Sequence, residues 1–191
     1  MATKSYRQIV NRKPDAEAND FYATDPKAAH DLLRLGVFRN IWEPACGEGH
    51  LAKVFDQYGY LGRATDLIDR GYGEQLDFLS YDGGLWKGDI VTNPPYKCAT
   101  EFVLKALDVA GNNAKVAMLL PITFLETIDR YDRLFSSQPP AKIWVYSKRL
   151  TCAKDADFER YSKQSMKCYA WFVWWKGVVV RGYDSLIGWI R

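Results

Sequence analysis

The stretch "DIVTNPPYKC" places polar and aromatic groups directly after an apolar run. Asn93 carries a side-chain carbonyl, Pro94 contributes a backbone carbonyl, and Tyr96 contributes an aromatic ring. The prolines end strand pairing and restrain the residue before them, which keeps Asn93 aimed in one direction. Two fixed carbonyl oxygens can bind both hydrogens of a planar amine or amide and stabilise positive charge developing on its nitrogen. Asn93, Pro94, Pro95 and Tyr96 are therefore the candidate catalytic residues.

A second candidate site lies upstream, in "EPACGEGH". Gly47, Gly49 and Ala52 follow the pattern G-x-G-x-x-A between a predicted strand and a predicted helix. Asp66, at the end of the next predicted strand, is placed to bind the ribose hydroxyls of a nucleoside-containing cofactor. Glu43 would repel a pyrophosphate and attract an ammonium group. This favours S-adenosylmethionine, with a dinucleotide as the alternative.

Apolar runs of strand length alternate with helical periodicities along the chain. Seven strands are predicted, including a short one through residues 76–78, and the last is "CYAWFVWWKG". No convincing helix precedes that last strand, so it is expected to pair antiparallel with its predecessor. Thr123 and Glu126 predict a capping box for a helix through Leu134. The pattern indicates an α/β fold with a doubly wound, mostly parallel seven-stranded sheet, whose ligands bind at the carboxyl ends of the strands.

The composition excludes several classes of protein. A hydrophobic fraction of 48% and a charged fraction of 26% are typical of a globular protein. Residues 1–20 are polar and aperiodic, which predicts a flexible N-terminal arm before a single domain at residues 21–191. The chain has neither an apolar run of about eighteen residues nor a signal-peptide core, so no membrane partner and a cytoplasmic location are expected.

Four scattered cysteines and two histidines make a metal site unexpected and fit a reducing compartment. The net charge of +3 permits a nucleic-acid partner without arguing for one.

Several segments together resemble the S-adenosylmethionine-dependent adenine-N6 DNA methyltransferases, most closely the short forms that phages and prophages encode. The resemblance spans about residues 19–189. It rests on "DFYATDP", "EPACGEGH", "GDIVTNPPYKCATEFVLKAL", "TFLETIDRYDRLF", "PPAKIWVYSKR" and "YAWFVWWKG". It implies the Rossmann-like fold of class I methyltransferases and direct methyl transfer to the N6 amine of an adenine flipped out of double-stranded DNA.

The resemblance also implies which residues hold S-adenosylmethionine. Glu43 and the glycine turn would hold its methionine part, Asp66 its ribose, and Asp77 with Phe78 its adenine. The upstream "FYATDP" resembles a family motif that closes the methionine pocket. The implied cofactor-binding residues are Phe21, Tyr22, Thr24, Glu43, Pro44, Cys46, Gly47, Gly49, Asp66, Asp77, Phe78 and Asn93.

Basic residues follow the predicted sixth strand, on the side of the sheet where the N-P-P-Y segment ends, and Lys97 directly follows that segment. We expect contacts to DNA phosphates there. The candidates are Lys97, Lys148, Arg149 and Lys154. Trp171, Trp174 and Trp175 could stack on bases, but their places in a strand favour core packing.

Three other functions fit the same motifs. The N-P-P-Y segment can also hold an RNA adenine or the glutamine amide of a protein, and a non-catalytic protein that binds S-adenosylmethionine and DNA would keep much of the pattern. The chain leaves almost no residues for a separate target-recognition domain, so a short or relaxed DNA specificity is expected. Either a monomer or a homodimer is compatible with the sequence.

Overall fold

Strands and helices alternate along the chain, as the hydrophobic pattern predicts. The structure, a computed structural model, describes residues 23–150, 152–153, 167–178 and 185–191. The predicted arm over residues 1–20 lies outside these ranges. The strands are β1 (Ala23–Thr24), β2 (Ile41–Glu43), β3 (Leu61–Asp66), β4 (Glu74–Gln75), β5 (Ile90–Thr92), β6 (Lys115–Pro121), β7 (Lys142–Tyr146), β8 (Cys152–Ala153), β9 (Tyr169–Trp175) and β10 (Leu186–Ile190). The helices are α1 (Lys27–Leu35), α2 (Ala52–Gln57), α3 (Ala99–Val109) and α4 (Ile128–Arg130), which continues as a π-helix over Tyr131–Phe135.

Eight strands form one mixed sheet in the order β10-β7-β9-β6-β5-β2-β3-β4. Strand β9 runs antiparallel to both β6 and β7, and the other neighbouring pairs are parallel. A separate antiparallel pair joins β1 to β8, with Thr24 opposite Cys152. Since β2, β3, β5, β6 and β7 run in one direction, their carboxyl ends lie along one edge of the sheet. We call it the C-terminal edge.

Two apolar clusters cover the faces of the sheet. One contains Trp42 and Phe172 and packs against α3, and the other contains Ile41 and Trp171 and packs against α1 and α2. Trp171 is fully buried, and its indole nitrogen donates to the carbonyl of Ala28 at 3.1 Å. The predicted packing role is confirmed for Trp171 and for Trp174, which is 2% exposed, but it was wrong for Trp175, which is 45% exposed. None of the helices in the described ranges has the length and apolar character that a membrane crossing requires.

The α/β class and the mostly parallel sheet are confirmed, but the predicted strand count was wrong. The sheet has eight strands, and the antiparallel strand is followed by β10, which pairs parallel with β7 at the edge of the sheet. Only Ile190 of β10 is buried, so the sequence there lacks the alternation that marks a half-buried strand. The strand expected through residues 76–78 is also displaced, because Glu74 and Gln75 pair with β3 instead. Both are exposed and give no hydrophobic signal.

The predicted capping box was wrong as well. Thr123 lies inside a 3-10 turn, Ile122–Leu125, and Thr127 caps α4 by accepting the backbone N–H of Arg130 at 3.4 Å. The Arg130 guanidinium donates to the carbonyls of Thr123, Phe124 and Glu126, which holds this turn in place. A side chain that binds three preceding carbonyls has no signature in hydrophobic periodicity.

The carboxylate of Asp89 forms hydrogen bonds that join the beginnings of β2, β5 and β6. It is 2% exposed and lies just before β5. Its two carboxylate oxygens accept the backbone N–H groups of Arg39, before β2, and Lys115, in β6, at 2.8 and 2.7 Å. Replacing the carboxylate would leave these two amides, whose bonds are partly buried, without their acceptor.

We therefore expect Asp89→Ala to lower the free energy of unfolding by about 1.5–3 kcal/mol, the usual range for hydrogen bonds to a charged group. Urea denaturation of the full chain measures the effect. Asp82→Ala, at an exposed acidic position, is the matched control and should change the midpoint little. Equal midpoints for the two variants would contradict this role for Asp89.

Candidate active site at the C-terminal edge

The glycine turn after β2 is built from two residues with left-handed backbone angles. Gly47 has φ +55° and Gly49 has φ +80°, values that other residues rarely adopt. A Cβ at Gly49 would lie 2.5 Å from the ring of Tyr72, so that glycine is also required by close packing. The turn leads directly into α2, as the G-x-G-x-x-A spacing predicts.

Asp66 at the end of β3 is bonded directly to this turn. One carboxylate oxygen accepts the Gly47 N–H at 2.8 Å, and the other accepts the Ile68 N–H at 3.0 Å. The side chain is half-buried. Each carboxylate oxygen retains a further lone pair, so Asp66 can still accept hydroxyl groups of a ligand. The two sequence motifs are therefore brought together.

Glu43 ends β2 as a buried carboxyl group. It is 2% exposed, and its Oε2 atom has no hydrogen-bond partner among the described residues. Burial, with the nearby Asp66 carboxylate as the second cause, raises the pKa of Glu43 well above its usual range, while a bond with the Ala52 backbone opposes the shift. A buried carboxylate without a counter-charge is costly, so this position is suited to a cationic ligand group.

Asn93 follows β5, the strand on the other side of β2 from β3. Its Nδ2 donates to the hydroxyl of Thr24 at 2.7 Å, and its Oδ1 is buried with no partner in the described part of the chain. The hydroxyl oxygen of Thr92, the preceding residue, is likewise buried and unpartnered there. The end of β5 therefore presents two buried oxygen atoms with unused acceptor capacity, as expected of a site that binds an N–H donor.

Tyr96 stands at the start of a 3-10 turn, Tyr96–Cys98, and is half-buried. Its ring is tilted against that of Tyr169, with 6.1 Å between ring centroids. The ammonium of Lys167 lies 4.8 Å from the Tyr96 ring centroid, within range of a cation–π interaction. The Tyr96 ring, which is predicted to stack on a planar substrate, thus lies next to the Lys167 ammonium.

The remaining predicted residues are distributed around this edge. Pro44, Cys46 and Pro94 are buried, and Pro95, Lys97, Lys148 and Arg149 are exposed. Burial, followed by the charges of Glu43 and Asp66, raises the pKa of the Cys46 thiol to about 12. Such a thiol stays protonated and is a poor nucleophile at neutral pH. Phe21, Tyr22 and Lys154 lie outside the described residues.

Asp77 and Phe78 have structural partners in this arrangement. The Asp77 carboxylate accepts the Leu79 N–H at 3.0 Å and the hydroxyl of Ser80. Asp77 thereby caps the start of a 3-10 turn, Phe78–Ser80. Phe78 is 2% exposed and packs edge-on against Trp42, with centroids 5.2 Å apart. Their predicted contact with a cofactor adenine stays a prediction.

Sequence reasoning missed several residues of this edge. Thr92 stands in an apolar run that predicts only a strand, and Tyr72 lies in an irregular segment with no period that would select it. Lys167 is one of several charges in the polar span before the last predicted strand, and nothing in that span indicates its contact with Tyr96. These contacts join residues distant in sequence, so no local pattern reports them. The described ranges contain no group of three or more His, Cys, Asp or Glu side chains placed to bind a metal ion.

Comparison with solved structures shows the fold of class I S-adenosylmethionine-dependent methyltransferases. Neither the protein-family models nor the curated protein sequences gave a match. A putative class I methyltransferase from Listeria monocytogenes aligns over 93% of this chain and 65% of its own, with TM-score 0.58 and 14% identity. This chain therefore spans slightly less than two thirds of that protein.

Two further structures have the same fold. A putative RNA methyltransferase from Pyrococcus horikoshii aligns over 88% of this chain and 91% of its own, with TM-score 0.57 and 14% identity. The methyltransferase subunit of a type I restriction-modification system from Streptococcus thermophilus aligns over 74% of this chain and 40% of its own, with TM-score 0.54 and 11% identity. At such identities the likeness concerns the fold.

The raised pKa of Glu43 predicts a specific pH dependence of stability. The folded protein retains the Glu43 proton in a range where the unfolded chain, near pKa 4.5, has lost it. The stabilising effect is complete below that value and is lost as pH rises toward the folded pKa. We expect Glu43→Gln to remove this loss, so that the variant gains stability relative to wild type between about pH 4.5 and neutral.

Urea denaturation of both proteins without ligand, over that pH range, measures the difference. Glu48→Gln is the matched control, because Glu48 is exposed in the same turn. A constant difference between wild type and Glu43→Gln across the range would contradict a raised pKa.

Proposed function

We propose that the protein is an S-adenosylmethionine-dependent methyltransferase that methylates the N6 amine of adenine in DNA. The observation that carries the proposal is Asn93. Its buried carbonyl oxygen has no partner in the described ranges, it lies beside the Tyr96 segment, and its strand is adjacent to the one that ends at Glu43. A planar molecule with an exocyclic amine supplies both the ring surface and the N–H donor that these groups require.

The residues at the ends of β2 and β3 fit S-adenosylmethionine. Glu43 is a buried carboxyl group that a bound ammonium group would favour in its ionised form, and Asp66 retains acceptor capacity for ribose hydroxyls. The turn at Gly47 allows close approach of the backbone. When bound, this cofactor supplies an electrophilic methyl group.

The residues after β5 would prepare the amine. Asn93 accepts one amine hydrogen through Oδ1, and the Pro94 carbonyl accepts the other. These acceptors would favour the positive charge that develops on nitrogen as it gains a methyl group, and the nitrogen would then release one proton to water, so no side chain is required as a general base. The ring of Tyr96 would stack on one face of the adenine. Such orientation is worth several kcal/mol because the restrained loop loses little freedom on binding.

Nucleic acid is the substrate class that the charge pattern favours. Lys97, Lys148, Arg149 and Lys167 are exposed near the ends of β5, β7 and β9 at the C-terminal edge. The fold is shared with the restriction-modification methyltransferase subunit, which supports DNA. It is also shared with the putative RNA methyltransferase over most of both chains, which makes RNA the second candidate.

The first test measures methyl transfer from tritiated S-adenosylmethionine to unmethylated duplex DNA, structured RNA and bacterial protein, with mass spectrometry of the product. We expect N6-methyladenine in DNA. Asn93→Ala and Tyr96→Ala should lower kcat/KM by ~10²-fold or more, as for the loss of a preorganised donor or acceptor. Tyr58→Ala, at an exposed ring between the end of α2 and the beginning of β3, at the opposite edge of the sheet, is the control.

Each substrate arm has a clear meaning. Methyl label in RNA or on a protein glutamine, with none in DNA, would overturn the choice of substrate and keep the amine chemistry. Cofactor binding without transfer to any substrate would overturn the enzymatic function.

The second test concerns the cations. The double variant Lys148→Gln, Arg149→Gln should bind duplex DNA more weakly, and the slope of log K against log salt should flatten by about one to two units. The control Lys87→Gln, Lys142→Gln removes the same charge from exposed positions at the opposite edge of the sheet. Equal affinity and equal salt dependence for the two double variants would exclude phosphate contacts by Lys148 and Arg149.

A further inference from the structure

Thr24 is bound to Asn93, although 69 residues separate the two in sequence. The hydroxyl of Thr24 accepts Asn93 Nδ2–H at 2.7 Å, and Thr24 is 5% exposed. The resemblance implied that Thr24 belongs to the cofactor pocket. In the structure its hydroxyl contacts Asn93, which is both a candidate catalytic residue and one of the implied cofactor-binding residues.

The backbone of Thr24 is fixed on both sides. On one side it pairs with Cys152 in the β1–β8 ladder. On the other, the Asp25 side chain accepts the Lys27 N–H at 2.9 Å and starts α1. That helix is held to the sheet by the bond from Trp171 to the Ala28 carbonyl. Threonine is itself stiff at χ1, so its hydroxyl is a fixed point in this edge.

An asparagine amide has two chemically opposite ends. The oxygen accepts hydrogen bonds, and the nitrogen donates them. An amine with two hydrogens is bound only by the oxygen, since the nitrogen would oppose donor to donor. Occupying Nδ2 with the Thr24 hydroxyl leaves Oδ1 as the end that remains for a ligand, in agreement with its lack of a partner in the described ranges.

We propose that Thr24 is a positioning residue that orients the Asn93 amide so that its oxygen meets the substrate amine. The proposal rests on the function proposed above and assigns Thr24 to the substrate side of the site. It also links the segment before α1, through β1 and β8, to the segment that follows Lys148 and Arg149. The N-terminal part of the domain thereby contributes to catalysis through one hydrogen bond.

The test compares Thr24→Val, which keeps the shape and removes the acceptor, with Thr24→Ser, which keeps the hydroxyl. We expect Thr24→Val to lower kcat ~10- to 100-fold, as for a displaced catalytic group. The affinity for S-adenosylhomocysteine by calorimetry and the KM for DNA should change less than about twofold, since ground-state binding is retained. Thr24→Ser should restore most of the turnover.

A separate readout follows the Asn93 side-chain amide by ¹⁵N NMR, with its signal assigned by loss in Asn93→Ala. Its protons should exchange slowly with solvent in wild type and Thr24→Ser, and faster in Thr24→Val. This measurement needs no substrate, so it tests the contact even where wild type fails to methylate DNA. That failure would count against the proposed function, not against the contact.

Three results would overturn the proposal. Normal turnover in Thr24→Val would show that the bond is unimportant. Loss of S-adenosylhomocysteine affinity in that variant would place Thr24 on the cofactor side. Unchanged amide exchange in Thr24→Val would show that the hydroxyl does not hold Asn93.

Discussion

The site depends on one constraint, the common direction of β2, β3 and β5. Parallel strands bring their carboxyl ends to the same edge, so residues far apart in sequence become neighbours there. Glu43, Asp66 and Asn93 each end or follow one of these strands. At the opposite edge, Asp89 joins the beginnings of β2, β5 and β6 by accepting the amides of Arg39 and Lys115. The hydrogen bonds that fix the relative positions of β2 and β5 therefore lie at the edge of the sheet opposite the candidate active site.

The C-terminal edge is also where the structure leaves polar atoms unsatisfied. Glu43 Oε2, Thr92 Oγ1 and Asn93 Oδ1 are buried without hydrogen-bond partners in the described residues, at the ends of two adjacent strands. Each such atom costs free energy in the ligand-free protein. The apolar clusters around Trp42 and Trp171 offset that cost. The ligand-free protein is therefore less stable at the place where a ligand would supply the missing hydrogen-bond partners. Functional sites commonly lower the stability of a protein in this way.

Sequence patterns were sufficient for the elements with strong periodicity. The strands around Trp42, Val91 and Leu119 are buried on both faces and appear as apolar runs, so the α/β class followed from them. The places of the candidate residues at strand ends were also predictable, because Glu43 and Asn93 directly precede prolines and Asp66 stands at the end of a predicted strand. By contrast, β10 is exposed along most of its length, and the Thr24–Asn93 bond spans 69 residues. Tertiary contacts determine the position of β10 and the Thr24–Asn93 bond, so local sequence patterns do not predict them.

The choice of an amide at position 93 follows from the charges around it. Two carboxylates already lie at the ends of the neighbouring strands, and the pKa of Glu43 is raised by burial and by Asp66. An aspartate after β5 would add a third carboxyl group to the same edge, and burial would favour its protonated form. A protonated carboxyl donates with one oxygen and loses part of its acceptor capacity. Asparagine keeps a carbonyl acceptor at every pH, and Thr24 holds its donor end away, so the site retains an acceptor for an amine beside the carboxyl groups of Glu43 and Asp66.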